Sequence, residues 1–344
     1  MNKIKYILII FLSVITFGAT AQNKQVKVLS LNIWQEGTQI EKGYDAIVEE
    51  VARLNPDFVT FSEVRNYKGN SFSKRIIKSL KEKGLTYFGF DSYDSGLLSK
   101  YPITDSTTVY PERGDHGSIY KLITNIGDRK FAVYVAHLDY KNCAYYDTKG
   151  YDGNNWHKLR KPLTNVRKIN KKNVKSKRDD AIKAFIADAN KEYENGTTVI
   201  LGGDFNEPSL LDWTNETKDL YQHNGLVINW EVSKLLLNNG YKDAYREMYP
   251  SAVSHPGFTY PAYNKDIEMK KLTWAPDSDE RERIDFIYFK SKSKFELKNI
   301  KIHGPKNSVR ISKEYTENTV DKFIEPLGVW PTDHKGVFAI FSVE

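Results

Sequence analysis

The sequence predicts a layered domain of the α/β (α+β) class, and two observations carry that expectation. Runs rich in Val, Ile, Phe and Tyr recur at 26–34, 58–64, 131–139, 197–206, 283–289 and 336–343, several of them alternating with polar residues. Helical patterns lie between these runs, and strands mixed with helices point to packed layers of both. Ile47, Val51 and Leu54 fall on one face of a helix near 44–54, and Ile76 and Leu80 mark another near 72–83. Ala181, Phe185, Ala189 and Tyr193 recur every four residues. Asp179 and Asp180 suit that helix's first turn and Gly196 suits its end. No internal repeat, low-complexity linker or shift in composition divides the chain, so residues 22–344 read as one domain.

The first 21 residues read as a secretory leader. Lys3 and Lys5 form a charged start, residues 7–17 are almost continuously apolar, and Ala19-Thr20-Ala21 offers a small-residue cleavage site. A membrane anchor is the competing reading, but the apolar stretch is about half of the roughly 20 residues needed to span a bilayer. No Cys stands near the cleavage site to carry a lipid. The expectation is a soluble bacterial protein, periplasmic or extracellular, starting near Gln22 and without a transmembrane segment. It is expected to act as a monomer. The one cysteine, Cys143, excludes an intramolecular disulfide framework and any Cys-rich metal site. It is read as a small buried side chain.

The formal net charge is +7, of which Lys3 and Lys5 supply two. Residues 140–177 hold 11 Lys or Arg and only two acids, Asp147 and Asp152, so the mature chain's basicity is concentrated there. Such a segment either meets an anionic ligand, nucleic acid or membrane surface, or is a solvated loop. Its length without obvious structure marks it as an outlier in a compact domain. It also carries Tyr140, Tyr145, Tyr146, Tyr151 and Trp156, which could stack on a ring, clamp a phosphate or pin the loop.

The chemistry gathers at strand ends. Val199-Ile200-Leu201-Gly202-Gly203-Asp204-Phe205-Asn206 is a buried-strand pattern that closes on an Asp and an Asn. Strand alternation puts Asp204 and Asn206 on one face. The carboxylate can hold a cation or take a proton from water, and the amide can hydrogen-bond an oxyanion. Leu31-Asn32, Phe61-Ser62-Glu63 and His137-Leu138-Asp139 close other strands; Arg283-Ile284-Asp285 opens one and Thr332-Asp333-His334 precedes the last. Any one of these is an ordinary turn or cap signal. Their joint occurrence is far more specific.

Asn32, Glu63, His137, Gly203-Asp204-Phe205-Asn206, Arg283-Ile284-Asp285 and Asp333-His334 resemble, in this order, the motifs of the endonuclease/exonuclease/phosphatase superfamily. That group includes pancreatic-type deoxyribonucleases, abasic-site endonucleases, neutral sphingomyelinases and inositol polyphosphate phosphatases. The resemblance runs from about Lys27 to Phe341. It implies a four-layer sandwich, two packed mixed β-sheets flanked by helices, with the site at one end.

It also implies roles. Glu63 would be the principal ligand of a hard divalent cation, Mg²⁺ before Mn²⁺ or Ca²⁺, with Asn32 beside it and Asp333 near the metal. Asp204 would deprotonate the attacking water, and Asn206 would stabilise the phosphorane. His334, oriented by Asp285, would donate to a non-bridging oxygen, and His137 would contact the scissile phosphate. Asp139 is a candidate supporting residue. Arg178 could pair with one of these carboxylates or lie on a helix surface. Tyr151 and Trp156 are candidate substrate contacts. The segments 255–261 and 274–283 could shape the pocket or simply cap the sandwich.

The partner implied is an anionic phosphoester. A nuclease would use the basic segment to track a backbone, whereas a lipid-cleaving enzyme would need an exposed apolar hairpin, which 140–160 does not show clearly. A small phosphodiester would explain aromatics plus cations without demanding either extended surface. The chain also lacks the disulfide pair that a secreted pancreatic-type deoxyribonuclease would suggest, so a small or lipid-derived phosphoester is favoured over nucleic acid. A phosphomonoesterase of the same family and a non-catalytic binding module are the alternatives.

Overall fold

The computed structural model describes residues 24–114 and 116–344, so the leader expected at 1–21 lies outside the described residues. The chain enters as β1 (Lys24–Asn32) and passes through helix α1 (Gly43–Leu54) to β2 (Phe58–Val64). Helix α2 (Phe72–Glu82) leads to the short β3 (Phe88–Gly89) and to β4 (Asp94–Ser99). An antiparallel run follows: β5 (Ile103–Tyr110), β6 (Gly117–Ile126) and β7 (Arg129–Leu138). Helices α3 (Ala144–Thr148), α4 (Val166–Asn173) and the long α5 (Arg178–Glu194) precede β8 (Thr198–Asp204). Next come α6 (Glu231–Asn238), β9 (Lys242–Asp243), α7 (Ala244–Met248) and β10 (Asp285–Lys290). The chain ends with β11 (Phe295–His303), β12 (Asn307–Arg310), β13 (Lys313–Thr316), β14 (Phe323–Ile324) and β15 (Gly336–Val343).

Seven strands form one sheet in the order β14-β11-β15-β1-β2-β4-β3, and six form another in the order β5-β6-β7-β8-β10-β9. Both sheets are mixed: β1 runs parallel to β2 and antiparallel to β15, while β7 runs parallel to β8 and β8 antiparallel to β10. The period-two pattern sorts the side chains into layers. Val26, Val28 and Phe58 of the first sheet meet Val133, Val135, Ile200 and Ile287 of the second. The opposite face of the first sheet, with Leu29, Leu31, Val59 and Phe61, is covered by Ile47 and Val51 of α1 and Ile76 and Leu80 of α2. Ala181, Ile182 and Phe185 of α5 cover Tyr134, Leu201 and Tyr288 on the outside of the second sheet. This is the four-layer arrangement implied by the sequence motifs, and burial of each such large apolar side chain contributes about 1.5–3 kcal/mol.

At one end the sheets come close together because β8 carries two glycines. A Cβ on Gly202 would stand 2.6 Å from Thr60 Oγ1 in the facing sheet. A Cβ on Gly203, whose φ is 151°, would stand 1.7 Å from the Ala136 carbonyl oxygen. The register then aligns functional residues in rows. His137 lies opposite Asp204, and Asp204 opposite Asp285; in the other sheet Asn32 lies opposite Ser62, and Val64 opposite Asp94.

The basic segment 140–177 is not structureless. It holds α3 and α4 and a small core of its own, in which Cys143, Tyr145, Tyr146, Tyr151 and Ile169 pack with Trp213 and Trp230. Asp139 joins its two ends, accepting the Lys141 N–H on Oδ1 at 2.9 Å and the Lys177 N–H on Oδ2 at 2.8 Å. Asp139 therefore positions the segment rather than facing the cleft. Arg178 is fully buried: it pairs with Glu207 at 3.2 Å and donates to the carbonyls of Asp139, Lys141 and Asn142. It is neither a helix-surface arginine nor a residue facing the cleft. Tyr151 is buried as well, its hydroxyl bonded to Asp277 at 3.2 Å.

Candidate active site

The end of the sandwich where the glycines lie opens into a cleft, and each sheet delivers its polar row there. On β1, Val26 and Val28 point between the sheets, so Asn32 does too. Continued alternation on β2 would turn Glu63 outward with Val59 and Phe61. Instead the β2–β4 register slips between Ser62 and Val64, and Glu63 adopts φ 70°. That bulge sets its carboxylate at the cleft, where Oε1 accepts from Asn32 Nδ2 at 3.1 Å and Oε2 from the Gln35 N–H at 3.0 Å. Residues Trp34, Gln35, Glu36 and Gly37 all have positive φ, forming a left-handed turn. Buried Glu36 holds that turn by accepting the N–H groups of Arg65 and Asn66 and pairing with Arg75. Strained backbone of this kind persists where the surroundings over-determine it.

Asp204 sits at the centre. Its Oδ2 accepts from Asn32 Nδ2 at 3.0 Å, and its Oδ1 accepts the Asn206 N–H at 2.9 Å. The Nε2 atoms of two histidines flank Oδ2, His334 at 3.7 Å and His137 at 4.0 Å. Each ring is held from behind by a carboxylate: His334 Nδ1 lies 3.0 Å from Asp285 Oδ2, and His137 Nδ1 lies 2.7 Å from Asp94 Oδ1. Burial pulls both imidazoles down, yet the adjacent carboxylates outweigh it, raising His137 to about 9 and His334 to about 10. Burial, with Asp285 adding to it against the pull of the histidines, raises Asp204 to about 6.

Asp333 also lines the cleft, and burial together with Glu63 raises it to about 7. Arg65, on the same wall, bonds Asp94 Oδ1 at 2.6 Å and lies 3.9 Å from Glu63.

The strand-end reasoning did not identify Asp94, because it opens a strand of small and polar residues, Asp94-Ser95-Gly96, that the apolar pattern passes over. Asn206 departs from the alternation argument. β8 stops at Asp204, Asn206 takes φ 49°, and its Nδ2 donates to the Leu138 carbonyl at 2.9 Å. It still lines the cleft, as do Trp156 and Trp274, whereas Tyr151 and Arg178 do not. Tyr260, from the segment 255–261, packs its ring against His334 with centroids 4.8 Å apart. Arg283 lies outside the strand expected for it and is buried against Asp212 and Asp243. Cys143 borders the cleft, and burial pushes its thiol up to about 12, the state of an inert thiol.

The sequence pattern of the endonuclease/exonuclease/phosphatase family matches residues 29–334. The chain belongs to that family. Its members hydrolyse phosphoester bonds and use divalent metal ions. A Caenorhabditis elegans relative, uncharacterized protein F14F9.5, is 26% identical over 291 residues, covering 82% of this chain and 85% of its own. Among solved structures, TDP2 from D. rerio complexed with a single-strand DNA product aligns at a TM-score of 0.52 and 13% identity, over 93% of this chain and 100% of its own. The human Nocturnin catalytic domain with bound sulfate aligns at 0.50 and 15% identity, over 92% and 93%. At these identities the structural likeness establishes the shared fold.

The residues present fit a divalent cation. The donor set around the cleft is rich in carboxylate oxygen, and Asp285 Oδ1 is buried with no hydrogen-bond partner. Asp204, Asp285 and His334 form a grouping that could hold a cation, with ligand atoms all within 4.8 Å of one another. In that grouping His334 and Asp285 already bond to each other. Of the set implied by the sequence, Glu63 and Asp333 line the same cleft and Asn32 bonds Glu63.

Proposed function

We propose that this chain is an exported, divalent-metal-dependent phosphoesterase that hydrolyses a small or lipid-derived phosphodiester by in-line attack of water. The observation that carries the reading is the Asp204 carboxylate flanked by two imidazoles, each backed by its own carboxylate, across from Glu63. Glu63, with Asn32 and Asp333, would hold the cation, with Mg²⁺ the first choice for an oxygen site of few protein ligands. When bound, that ion supplies Lewis-acid stabilisation of a phosphoryl oxygen. Asp204, kept in place by Asn32, takes the proton of the attacking water; its raised pKa poises it near neutral pH. His137 and His334 present Nε2–H donors to the non-bridging oxygens, where charge builds in the transition state. Asn206 retains a second amide N–H for the same purpose, since only one is used on Leu138.

Export rests on the charged start, apolar stretch and Ala19-Thr20-Ala21 site of the leader. Among the described residues no helix is long and apolar enough to cross a membrane. A nuclease reading is favoured by one observation, the exposed Lys and Arg of the segment 158–175. The test uses residues 22–344 with Mg²⁺, Mn²⁺, Ca²⁺ or chelator. The panel holds a generic phosphodiester, a phosphomonoester, DNA, RNA, sphingomyelin and inositol phosphates. Cation-dependent turnover of a small or lipid-derived diester is expected. Failure to turn over any phosphoester with any cation refutes the enzyme reading, and full activity in folded Asp204→Ala and His334→Ala proteins refutes the site.

A further inference from the structure

Beyond the phosphate-handling groups, the cleft has an aromatic rim supplied by two separate segments. Trp156 comes from the basic segment and Trp274 from the loop before β10; their ring centroids lie 4.9 Å apart. Tyr140 lies parallel to Trp156 within 5°, at 5.9 Å. Trp274 remains 51% exposed although its backbone is firmly held. Its N–H donates at 2.8 Å to Glu280, a buried carboxylate that also accepts from Tyr146 at 3.2 Å. Trp156 sits at φ 56°, a conformation that bulky residues rarely adopt. Its N–H is bonded to the Asp152 carbonyl at 2.8 Å, and its indole Nε1 is shielded from water without an acceptor. The two segments are joined by Lys158–Asp277 at 2.6 Å and by Lys149 donating to the Asp279 carbonyl at 2.7 Å. The rim is thus pre-organised, with strained backbone committed to placing an indole.

We infer that this rim is a ring-stacking subsite, and that the phosphoester cleaved here carries a flat, uncharged ring. This rests on the phosphoesterase reading above. A cationic head group is the other chemistry an aromatic wall recognises. It is disfavoured because the Lys141 ammonium already lies 4.5 Å from the Tyr140 ring and 5.2 Å from the Trp156 ring. A ring entering the rim meets the exposed Trp274 indole, backed by Trp156, instead, and stacking of this kind tolerates many ring types.

The experiment compares uncleavable ligands on residues 22–344 with Mg²⁺: methylphosphonate, benzylphosphonate and phosphocholine, with binding followed calorimetrically. Benzylphosphonate should bind at least about tenfold more tightly than methylphosphonate, the scale of one stacked ring. Trp274→Ala should cut that preference below about threefold and Trp274→Phe should keep most of it, with methylphosphonate affinity unchanged in both. Equal binding of the two phosphonates, or a preference untouched by Trp274→Ala, overturns the subsite. So does tighter binding of phosphocholine than of benzylphosphonate. If methylphosphonate fails to bind with Mg²⁺, and equally with Mn²⁺ and Ca²⁺, the phosphoesterase reading itself falls and the subsite with it; if it binds and the ring adds nothing, only the subsite falls.

Discussion

At Glu63 a bulge and a positive φ turn a carboxylate out of the pleat and against Asn32, whereas Asp285 stays in the strand and bonds an imidazole. The two acids therefore have separable jobs. Glu63 accepts its hydrogen bonds from neutral donors, the Asn32 amide and the Gln35 N–H. The Arg65 guanidinium stands off at 3.9 Å with its short bond made to Asp94, so the Glu63 charge is available to attract a cation. The Asp285 charge faces the His334 ring. Glu63→Gln should weaken Mn²⁺ binding, measured by calorimetry or electron spin resonance, by roughly 100-fold or more; loss even of a supporting group costs 10–100-fold. Asp285→Asn should leave Mn²⁺ affinity within about threefold and lower kcat by a factor on the order of 10², the low end for an acid–base group. The reverse pattern would place the metal in the Asp204, Asp285 and His334 group.

The elements succeed or fail as position-setters according to what their backbone permits. β8 can bring Asp204 between the sheets only because its last turns carry no side chains at 202 and 203. Gly202 faces the buried Thr60 side chain, whereas Gly203 faces the fixed Ala136 carbonyl at much shorter range and at a φ that L-residues rarely adopt. Gly203→Ala should therefore destabilise the fold by about 3 kcal/mol or more and abolish activity, whereas Gly202→Ala should cost about 1–3 kcal/mol. Urea unfolding of the two variants checks the order; equal losses would mean that β7 yields at Ala136. Such elements were legible in the sequence where apolar residues mark the inner face. The strands 58–64 and 336–343 lie where the pattern puts them, and α5 has Asp179 and Asp180 in its first turn. β4 was not legible because Ser95, Gly96 and Ser99 leave no apolar rhythm, and with it went Asp94, the partner of His137. Nor was the turn at Asn206, since alternation assumes a strand that does not end.

For the whole molecule, the basic segment acts as a wall of the cleft and as a charged exterior, and these two parts respond to different perturbations. Its inner side rests on a buried polar layer that includes Lys149, Glu282 and His223. His223 stacks on Trp213 at 3.8 Å with neither ring nitrogen hydrogen-bonded, and burial, with Lys149 nearby, lowers its pKa to about 3. The unfolded chain takes up a proton there near pH 6.5 while the folded one does not. The contribution of His223 to stability is then fully present above pH 6.5 and is lost as pH falls towards 3, by about 1.4 kcal/mol per pH unit. The stability difference between the parent and His223→Asn should shrink at that rate between pH 6 and 4; a constant difference would show that the folded state protonates the ring. The outer side behaves otherwise. Lys161, Arg167, Lys168 and Lys171 are exposed, form no ion pair among the described residues and do not line the cleft. Exposed charges more than about 8–10 Å from a ligand are largely screened at physiological salt. Changing all four to Gln should therefore leave kcat/KM for a small diester within about threefold, with little dependence on salt. A loss of tenfold or more, together with a log–log salt slope of about −0.9 per phosphate contact that flattens in the variant, would assign the surface to a nucleic-acid backbone and move the substrate from a small ester to a polymer.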